Sequence, residues 1–528
     1  MYTYQDLTDI GKDEQKRIDF VYNAIQQHKA SKEYETAVIA DEYDKQQNRT
    51  MVRFQKTITT MTGKIIPDNF SASYKMCSNF YNRLTTQRVQ YSLSNGVKWT
   101  GTTVAVPIGT RGATPKFIFE PDKNGNVNYR EEWQVSAPTG IKEKLGSNFD
   151  TQLQKLCKAG IDGGVSFGFL DVKNRHKNET ETYTLKVFKI TEFAPLYDEE
   201  NGSLRAGIRW VQVDPKKPLR ATLYEEDGFT EYIWNERIED GKRITEGQIY
   251  KLKRPYKIER AEKGSIDEGE IYNGENYPAF PIVPFFANEH KQSAIVGMRE
   301  HIDAYDLNKN GYANELDNAI VYWVLKGAAG FDDVEATAFV QKIKALGVAN
   351  TENDQDVQAI PVNPPIDGRE RLLDRIEKDI YKDFGALDID QVKSGAVTAT
   401  QIRAAYEALD MAANQFEYQI LEFLDRLMIV AGVKDTATFT RATLVNSTET
   451  LQMLLQAAPF LTEDYVITKT LELFGDGDKA DYIINQRKAE ELNRFGIGTN
   501  EEEEVKQNQE QEIEAEEKPT ENLGEDNV

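Results

Sequence analysis

A long amphipathic segment in the second half of the chain limits the possible folds more than any other feature. Between Ser293 and Lys326 apolar side chains recur at steps of three, four or seven residues, and no proline interrupts them. The stripe consists of Met298, Ile302, Tyr305, Tyr312, Leu316, Ile320 and Trp323. A helix of this span is about 45 to 50 Å long, because each residue adds about 1.5 Å. The pattern predicts one helix that is long for a globular protein.

A compact insert separates this helix from a second one. Residues 327 to 361 contain a predicted small helix near 334 to 346 and a predicted strand near 357 to 360. Pro364-Pro365 then opens a helix that stops at Gly385. Its apolar positions are Leu372, Leu373, Ile376, Ile380 and Phe384. Two long helices are therefore expected to bracket a small module.

A third long helix follows a short polar segment. Residues 386 to 397 include Ser394-Gly395 and have the composition of a flexible loop. The capping box Thr398-x-x-Gln401 predicts the start of a helix that Gly432 ends. Smaller helices are expected from 447 to 495.

The first half of the chain mixes helical and strand patterns. Residues 10 to 50 and Tyr74 to Arg88 show helical spacing, whereas residues 95 to 134 show the alternation of a sheet. A helix is expected near Phe149 to Ala159. Short strands of a meandering antiparallel sheet are then expected near 165–172, 183–190, 206–213, 221–224 and 231–234. The predicted fold class is α+β.

Length and composition agree with several packed domains. The chain has 528 residues, and single hydrophobic cores stop growing at roughly 250 to 300 residues. No apolar run approaches the roughly 20 residues of a membrane helix, and the polar, acidic first 17 residues do not resemble a signal peptide. Cys77 and Cys157 are too few for a disulfide framework and fit a reducing cytoplasm. We expect both to be packed thiols.

The net charge of −23 argues against a simple DNA-binding protein, because such proteins present a basic face to the phosphates. The charge is unevenly distributed. Twelve acidic residues and two lysines lie between Thr499 and Val528, so this tail accounts for −10 of the total. The tail is either a disordered solubilising end or an electrostatic docking segment, and we favour the first alternative.

The segment Asp306-x-Asn308-x-Asn310-Gly311 is the sharpest candidate for a metal site. It places oxygen ligands at positions 1, 3 and 5 of a calcium loop, with glycine at position 6. However, position 12 is Asp317 instead of the longer glutamate, and the apolar stripe continues through the segment at helical period. We therefore interpret the segment as part of a helix and predict no metal site.

The sequence shows no recognisable motif for catalysis. The chain has no G-x-x-x-x-G-K-[ST] motif, and the glycines between Gly160 and Gly168 are spaced for a backbone turn instead of a dinucleotide site. His28, His176, His290 and His301 lie in four separate segments. We predict no catalytic residue and no cofactor, and we expect that the protein is not an enzyme.

Several segments, in order along residues 70 to 430, resemble the portal family of long-tailed bacteriophages. The first two are Lys155-Leu-Cys-Lys-Ala-Gly-Ile-Asp-Gly-Gly-Val-Ser-Phe-Gly and the pair Glu192-Phe-Ala-Pro-Leu-Tyr-Asp198 and Leu204-Arg-Ala-Gly-Ile-Arg209-Trp. The third is the series Pro281-Ile-Val-Pro-Phe285, Ile302-Asp-Ala-Tyr-Asp306, Asn314-Glu-Leu and Leu325-Lys-Gly, and the fourth is Val392-Lys-Ser-Gly-Ala-Val-Thr-Ala-Thr400. Their shared order along the chain carries the resemblance.

The resemblance implies a portal fold with an α/β wing, long stem helices, a small α/β clip insert and a helical crown. It places N-terminal helices and the wing at 1–292, the first stem helix at 293–326, the clip at 327–363, the second stem helix at 364–385, the tunnel loop at 386–398, a long wing or spine helix at 399–432, the crown at 433–498 and an acidic tail, expected to be disordered, at 499–528.

The resemblance also implies a function. Portal relatives form a dodecameric ring at one capsid vertex, which is the channel for DNA packaging and ejection and the docking site for the terminase and the head-to-tail adaptor. Expected partners are further copies of the chain, double-stranded DNA without sequence specificity, terminase, adaptor, and major capsid and scaffolding proteins, with no membrane. The expected location is the virion, after assembly in the bacterial cytoplasm.

Candidate site residues follow from these assignments. The tunnel loop would use Gln391, Val392, Lys393, Ser394 and Gly395; the stem would use Ile302, Tyr305, Tyr312, Leu316, Leu373, Ile376 and Ile380; and clip docking would use Phe331, Asp332, Asp333, Phe339 and Lys342. Lys393 is the candidate for transient contact with the DNA backbone, and a solvated linker lysine is an equal alternative.

Two other classes of protein remain as alternatives. A tail or baseplate component would fit the composition but not the insert between two long helices. A phage enzyme would need a convergent site, and the sequence shows none.

Overall fold

The computed structural model describes residues 2–59, 64–67, 73–106, 114–121, 127–137, 139–173, 182–214, 216–239, 242–258, 274–317, 321–326, 356–361, 366–388, 399–441, 447–474 and 476–494. The chain divides into two compact units. The first contains residues 1–397 and 401–443, and the second contains residues 398–400 and 444–528. The predicted clip helix, clip docking residues, tunnel loop residues, capping box and acidic tail lie outside the described residues.

Helices dominate the first 53 residues, as predicted. They are α1 (Tyr4–Ile10), α2 (Glu14–Lys29), α3 (Lys32–Asp44) and α4 (Arg49–Arg53). Each begins at a side chain that accepts a hydrogen bond from a backbone N–H of the first turn: Thr3, Asp13, Ser31 and Asn48. These caps divide the expected helical segment into four pieces.

The strand pattern between residues 57 and 137 forms small antiparallel sheets. A hairpin joins β1 (Thr57–Thr59) and β2 (Ile65–Pro67). Helix α5 (Phe80–Leu93) precedes β3 (Val97–Trp99), β4 (Thr102–Val106), β5 (Thr114–Pro121) and β6 (Val127–Ala137). The last three pair in the order β4-β6-β5. The prediction of helix from Tyr74 was wrong for residues 74 to 79, because the backbone N–H groups of Tyr74, Met76 and Ser78 bond to side chains of a later helix instead.

The expected meander forms two separate sheets. After α6 (Ile141–Leu145) and α7 (Phe149–Gly163), the chain forms β7 (Val165–Lys173), β8 (Thr182–Lys189), β9 (Phe193–Tyr197), β10 (Leu204–Val211), β11 (Leu219–Glu225), β12 (Gly228–Glu239), β13 (Lys242–Arg254), β14 (Lys257–Ile258), β15 (Gly274–Glu275) and β16 (Ile282–Phe286). Strands β9 to β13 pair in sequence, and β16-β7-β8 form the second sheet.

Two hydrophobic clusters pack against these sheets, and the five-stranded sheet contributes side chains to both. The five-stranded sheet packs Ile208, Leu223 and Trp234 against Val21 and Ile25 of α2. The three-stranded sheet belongs to a larger cluster that α7 completes. Burying a large apolar side chain stabilises the folded state by about 1.5 to 3 kcal/mol. The many buried side chains of these two clusters therefore stabilise the first unit.

The long predicted helices are present, with one correction. They are α8 (Met298–Asp317), α9 (Ile366–Phe384) and α10 (Ala399–Ala431). The prediction that the first of them reaches Lys326 was wrong. Residues Val321–Lys326 form strand β17, which pairs antiparallel with β18 (Asp356–Pro361). This valine- and aromatic-rich segment favours a strand once a partner is available.

The ends of α9 and α10 and the helices after residue 447 agree with the sequence, whereas a short strand after α10 was not predicted. Gly385 and Gly432 follow α9 and α10 with φ of 65° and 67°, a conformation that ends a helix. Strand β19 (Ala437–Phe439) pairs with β3. The second unit contains α11 (Ser447–Ala457), α12 (Glu463–Phe474) and α13 (Ala480–Arg494). Among the described residues, no helix combines the length and the apolar character needed to cross a bilayer.

Candidate functional site

The predicted stem residues mainly form a packed core between α8, α9 and α5. Ile302 and Ile380 are buried in one cluster with Phe80, Tyr81 and Leu84. Tyr305 and Ile376 pack against that cluster while remaining partly exposed. Tyr312 and Leu373 are partly exposed, and Leu316 is 52% exposed. Within the described part of the stripe, the residues in the first half of α8 therefore stabilise the helix pair, and Leu316 near the end of α8 faces solvent.

Polar side chains of α8 hold an extended segment, residues 74 to 78, which we call the strap. Asp306 Oδ1 accepts a hydrogen bond from Ser78 N at 3.0 Å, and Asn310 Oδ1 accepts one from Met76 N at 2.7 Å. Asn314 Oδ1 accepts one from Tyr74 N at 2.7 Å.

These three hydrogen bonds form a ladder between α8 and the strap, and the spacing of the acceptor residues along α8 explains it. Residues four apart lie on one face of a helix, and they meet every second residue of the strap. Asn310 also donates from Nδ2 to Met76 O at 2.8 Å, so its amide pairs with both backbone groups of Met76. The motif that resembled a calcium loop is helical, as predicted, and the side-chain oxygens of Asp306 and Asn310 accept backbone N–H groups of the strap.

A second polar layer connects α8 to the N-terminal helices. Asn48 Nδ2 donates to Asp306 Oδ2 at 2.8 Å, and Thr50 Oγ1 donates to Asp303 Oδ2 at 2.7 Å. Tyr43 donates from its hydroxyl to Asp303 Oδ1 at 2.5 Å. Burial, followed by this carboxylate, raises the pKa of Tyr43 to about 12. Burial also raises the pKa of Asp306, although its donors oppose the shift.

The chain that leads from α9 into the predicted tunnel loop is fixed by α5. Gln87 Nε2 donates to Leu387 O at 2.9 Å, and Leu387 N donates to Gln87 Oε1 at 3.0 Å. The Arg88 guanidinium donates to Phe384 O and lies 4.0 Å from the centroid of the Phe384 ring. Desolvation lowers the pKa of Arg88 to about 10, so this side chain remains a cation at neutral pH.

The other side of this loop is held by the same helix. Tyr91 packs with Leu387, Tyr406 and Leu409 in a small cluster, and its hydroxyl donates to Asp410 Oδ1 at 2.6 Å. Arg441 donates to that same Asp410 oxygen at 2.9 Å. Thus α5 fixes both flanks of the loop, the end of α9 and the first turns of α10.

Two of the segments that carry the family resemblance, the one around Gly160 and the one that ends at Phe285, meet beside α10. Phe285 of β16 lies edge-to-face against Phe416 and Phe423 of α10, with ring centroids 5.9 and 6.1 Å apart. A Cβ on Gly160 would lie 2.5 Å from Cδ1 of Phe285, so only glycine leaves room for this ring. The sequence predicted a backbone turn after this helix, and the structure adds a close packing site at Gly160, in the last turn of α7.

A partly buried charge cluster lies beside this turn. Lys158 Nζ pairs with Asp162 Oδ1 at 3.1 Å and with Asp44. Burial raises the pKa of Asp162 to about 6, against the opposing effect of Lys158. Ser293 Oγ donates to the backbone oxygen of Asp162 at 2.6 Å, so the cluster lies where the chain enters α8.

Sequence reasoning missed the strap and the side chains of α5. A signal for the strap existed in Asp306, Asn310 and Asn314, which lie four residues apart. Gln87 and Arg88 gave no signal, because their partners lie about 300 residues away. No group of three or more metal-ligating side chains is assembled within the described part of the chain.

Known sequences match most of this chain. Residues 71–517 match the family described as "Phage portal protein, SPP1 Gp6-like". The portal protein of Clostridium phage phiCD119 is 22% identical over 355 residues, which cover 63% of this chain and 71% of that relative. The portal protein of Bacillus phage SPP1 is 28% identical over 192 residues, covering 33% of this chain and 38% of that relative.

Solved structures resemble the chain only distantly. A chain in the neck of an empty GTA particle, computed with C6 symmetry, is 11% identical in sequence, and the match has a TM-score of 0.33. The match covers 62% of this chain and 79% of the neck chain. The virion of a native gene transfer agent particle is 12% identical, covers 61% and 79%, and has a TM-score of 0.30.

Proposed function

This chain belongs to the SPP1 Gp6-like family of phage portal proteins, and from that premise we propose that it forms a dodecameric ring at one capsid vertex. The family match over residues 71–517 carries the proposal. The ring would be the channel through which double-stranded DNA enters during packaging and leaves during ejection. It would also dock the terminase and the head-to-tail adaptor, and contact major capsid and scaffolding proteins.

The domain assignments implied by the family are kept in this proposal, with one change: strand β17 moves from the first stem helix to the clip. In this proposal α8 and α9 are the stem, and the segment between them, which contains β17 and β18, is the clip. Residues 386–398 are the tunnel loop, α10 is the spine, and α11 to α13 are the crown. The helix pair is held on two sides, by the strap and by α5, which suits a channel wall that must keep its shape under load.

The anchored flanks of the tunnel loop support its proposed role. A loop whose ends were free could not hold a side chain at a constant distance from passing DNA. Here hydrogen bonds from Gln87 fix Leu387 at the start of the loop, and a buried cluster around Tyr91 fixes the part of α10 around Tyr406, beyond its end. Lys393 would then touch the backbone only transiently, and an acidic or neutral channel would let the duplex slide.

Virion localisation tests this function against the alternative of a tail or baseplate component. Gold-labelled antibody to the chain should mark one capsid vertex in phage heads that lack tails. Label found only on free tails would refute the portal assignment. Because the ring is proposed as a passive channel, hydrolysis of ATP belongs to the terminase, and robust ATP turnover by the purified chain would also contradict the proposal.

The contact of Lys393 has its own test. Lys393→Glu is expected to slow DNA packaging into proheads, whereas Lys434→Glu, at an exposed site beyond the end of α10, is expected to leave the rate unchanged. Unchanged packaging by the Lys393 variant would remove the proposed contact without affecting the ring.

A further inference from the structure

Helix α10 presents an unusual exposed face, which we call the helix stripe: Met411, Gln415, Tyr418, Glu422, Asp425 and Ile429. Steps of four and three residues place all six on one side of the helix over about 27 Å. Met411, Tyr418 and Ile429 are 61%, 70% and 63% exposed. The opposite side of α10 is buried in the core. Large apolar side chains repeated along an exposed, otherwise polar face mark an interaction surface.

The charge of the helix stripe is negative. Glu422 and Asp425, the two members of the stripe that are charged at neutral pH, are both acidic and both exposed. Arg426, beside the stripe, pairs with Glu422 at 2.5 Å, whereas Asp425 has no ion-pair partner among the described residues. A partner for this surface must therefore combine apolar side chains with a cation that can meet Asp425.

A second surface of the same unit has that composition. This hairpin patch contains Val211, Val213, Lys216, Lys217, Arg220 and Tyr250. Val213 is 90% exposed, Val211 is 43% exposed and Tyr250 is 45% exposed. The three cations are exposed as well.

The geometry makes the hairpin patch one surface. Val211 and Arg220 are directly paired across β10 and β11, so their side chains share a face of the sheet. The Arg220 guanidinium lies 5.1 Å from the centroid of the Tyr250 ring. Asp214 lies next to the patch and reduces its net positive charge. Its Oδ1 accepts a hydrogen bond from the backbone N–H of Lys216 within the turn.

We propose that the helix stripe of one copy docks on the hairpin patch of the next copy, with Asp425 meeting Lys217. This inference rests on the proposed ring. A closed ring with cyclic symmetry needs two different, complementary surfaces on every chain, because each contact is heterologous. The two surfaces match in the required way: both carry exposed apolar side chains, one has surplus negative charge and the other surplus positive charge.

Charge reversal tests the pairing. Asp425→Arg and Lys217→Glu, each alone, are expected to raise the concentration of half-assembly at least about tenfold, measured by sedimentation velocity, because like charges then face each other. The double variant is expected to return to within about threefold of the wild-type value. Glu143→Arg is the matched control, an exposed reversal on α6 outside both surfaces, and it should have no effect.

Mixing the two single variants separates a contact between copies from one within a copy. In a mixture, the arginine introduced at position 425 of one variant can meet the glutamate introduced at position 217 of the other, and the opposite contact is wild type. Equimolar mixing is therefore expected to restore assembly with alternating subunits. Misfolded variants would not be rescued in this way.

The outcomes distinguish the two proposals. If the wild type assembles into rings but neither reversal weakens assembly, or mixing does not rescue it, the pairing is wrong and the ring remains. If the wild type stays monomeric at all concentrations, the ring itself is wrong and the pairing with it.

Discussion

The Asn310 rung of the ladder gives the sharpest prediction about how the α8–α9 pair is held. Asn310 is 2% exposed and makes two hydrogen bonds to the backbone of Met76. Each such bond is worth about 1 kcal/mol net, so Asn310→Ala should weaken the local structure of the strap by about 2 kcal/mol. This corresponds to a roughly 30-fold larger equilibrium constant for local opening, since 1.4 kcal/mol is a factor of ten.

Single-residue hydrogen exchange measures this opening. The amides of Tyr74, Met76 and Ser78 bond to side chains of α8, whereas those of Lys75 and Cys77 have no acceptor among the described residues. We therefore expect protection to alternate along the strap in the wild type. Asn310→Ala should accelerate exchange at Met76 about 30-fold.

A matched control lies two residues away on the same helix. Asn308 donates to Ala304 O of its own helix at 2.7 Å, so Asn308→Ala should leave exchange in the strap unchanged. The ladder would be refuted if exchange at Met76 rose less than about threefold in the Asn310 variant, or rose equally in both variants.

Three further predictions concern packing, pH and the base of the tunnel loop. A Cβ on Gly164, which has φ of 80°, would lie 2.4 Å from Lys291 O, so Gly164→Ala should lower the free energy of unfolding by about 2 to 4 kcal/mol. Gly202 has φ of 67° but open space around it, so Gly202→Ala should lower this free energy by only about 1 kcal/mol. Thermal unfolding measures both variants. The pKa of Asp162 is raised to about 6 in the folded chain, so its contribution to stability is present at low pH and is lost as pH rises through 6. Asp162→Asn cannot ionise, so its free energy of unfolding relative to wild type should rise by about 1 kcal/mol between pH 5 and pH 8. A difference between variant and wild type that is the same at both pH values would contradict this. Gln87→Ala removes both hydrogen bonds to the Leu387 backbone and should accelerate exchange of the Leu387 amide at least about tenfold; unchanged exchange would show that the loop base is held by other contacts.

Periodicity alone predicted the helices well where one face is buried along the whole length. The segment that became α10 has Leu409, Phe416, Ile420 and Phe423 at helical spacing, and all are buried. Residues 321 to 326 continue the apolar pattern of α8, but they pair with a strand about 35 residues later. That partner is invisible in a local pattern, so the end of α8 could not be predicted.

The candidate site was only partly predictable for the same reason. The apolar stripe predicted the helix that contains Asp306 and Asn310. The hydrogen-bond donors of their buried side-chain oxygens could not be predicted, because these donors lie about 230 residues earlier in the chain. The glycine-rich turn was predicted as a turn, whereas the reason for Gly160 is the Phe285 ring of a distant strand. Family resemblance supplied the functional assignment that local patterns could not.

Electron microscopy of the purified, assembled chain tests the central claim most directly. A three-dimensional reconstruction should show a closed twelvefold ring with a central hole, with residues 389–398 at the narrowest part of that hole. Particles without a central hole, or a ring with this loop on its outer rim, would contradict the account.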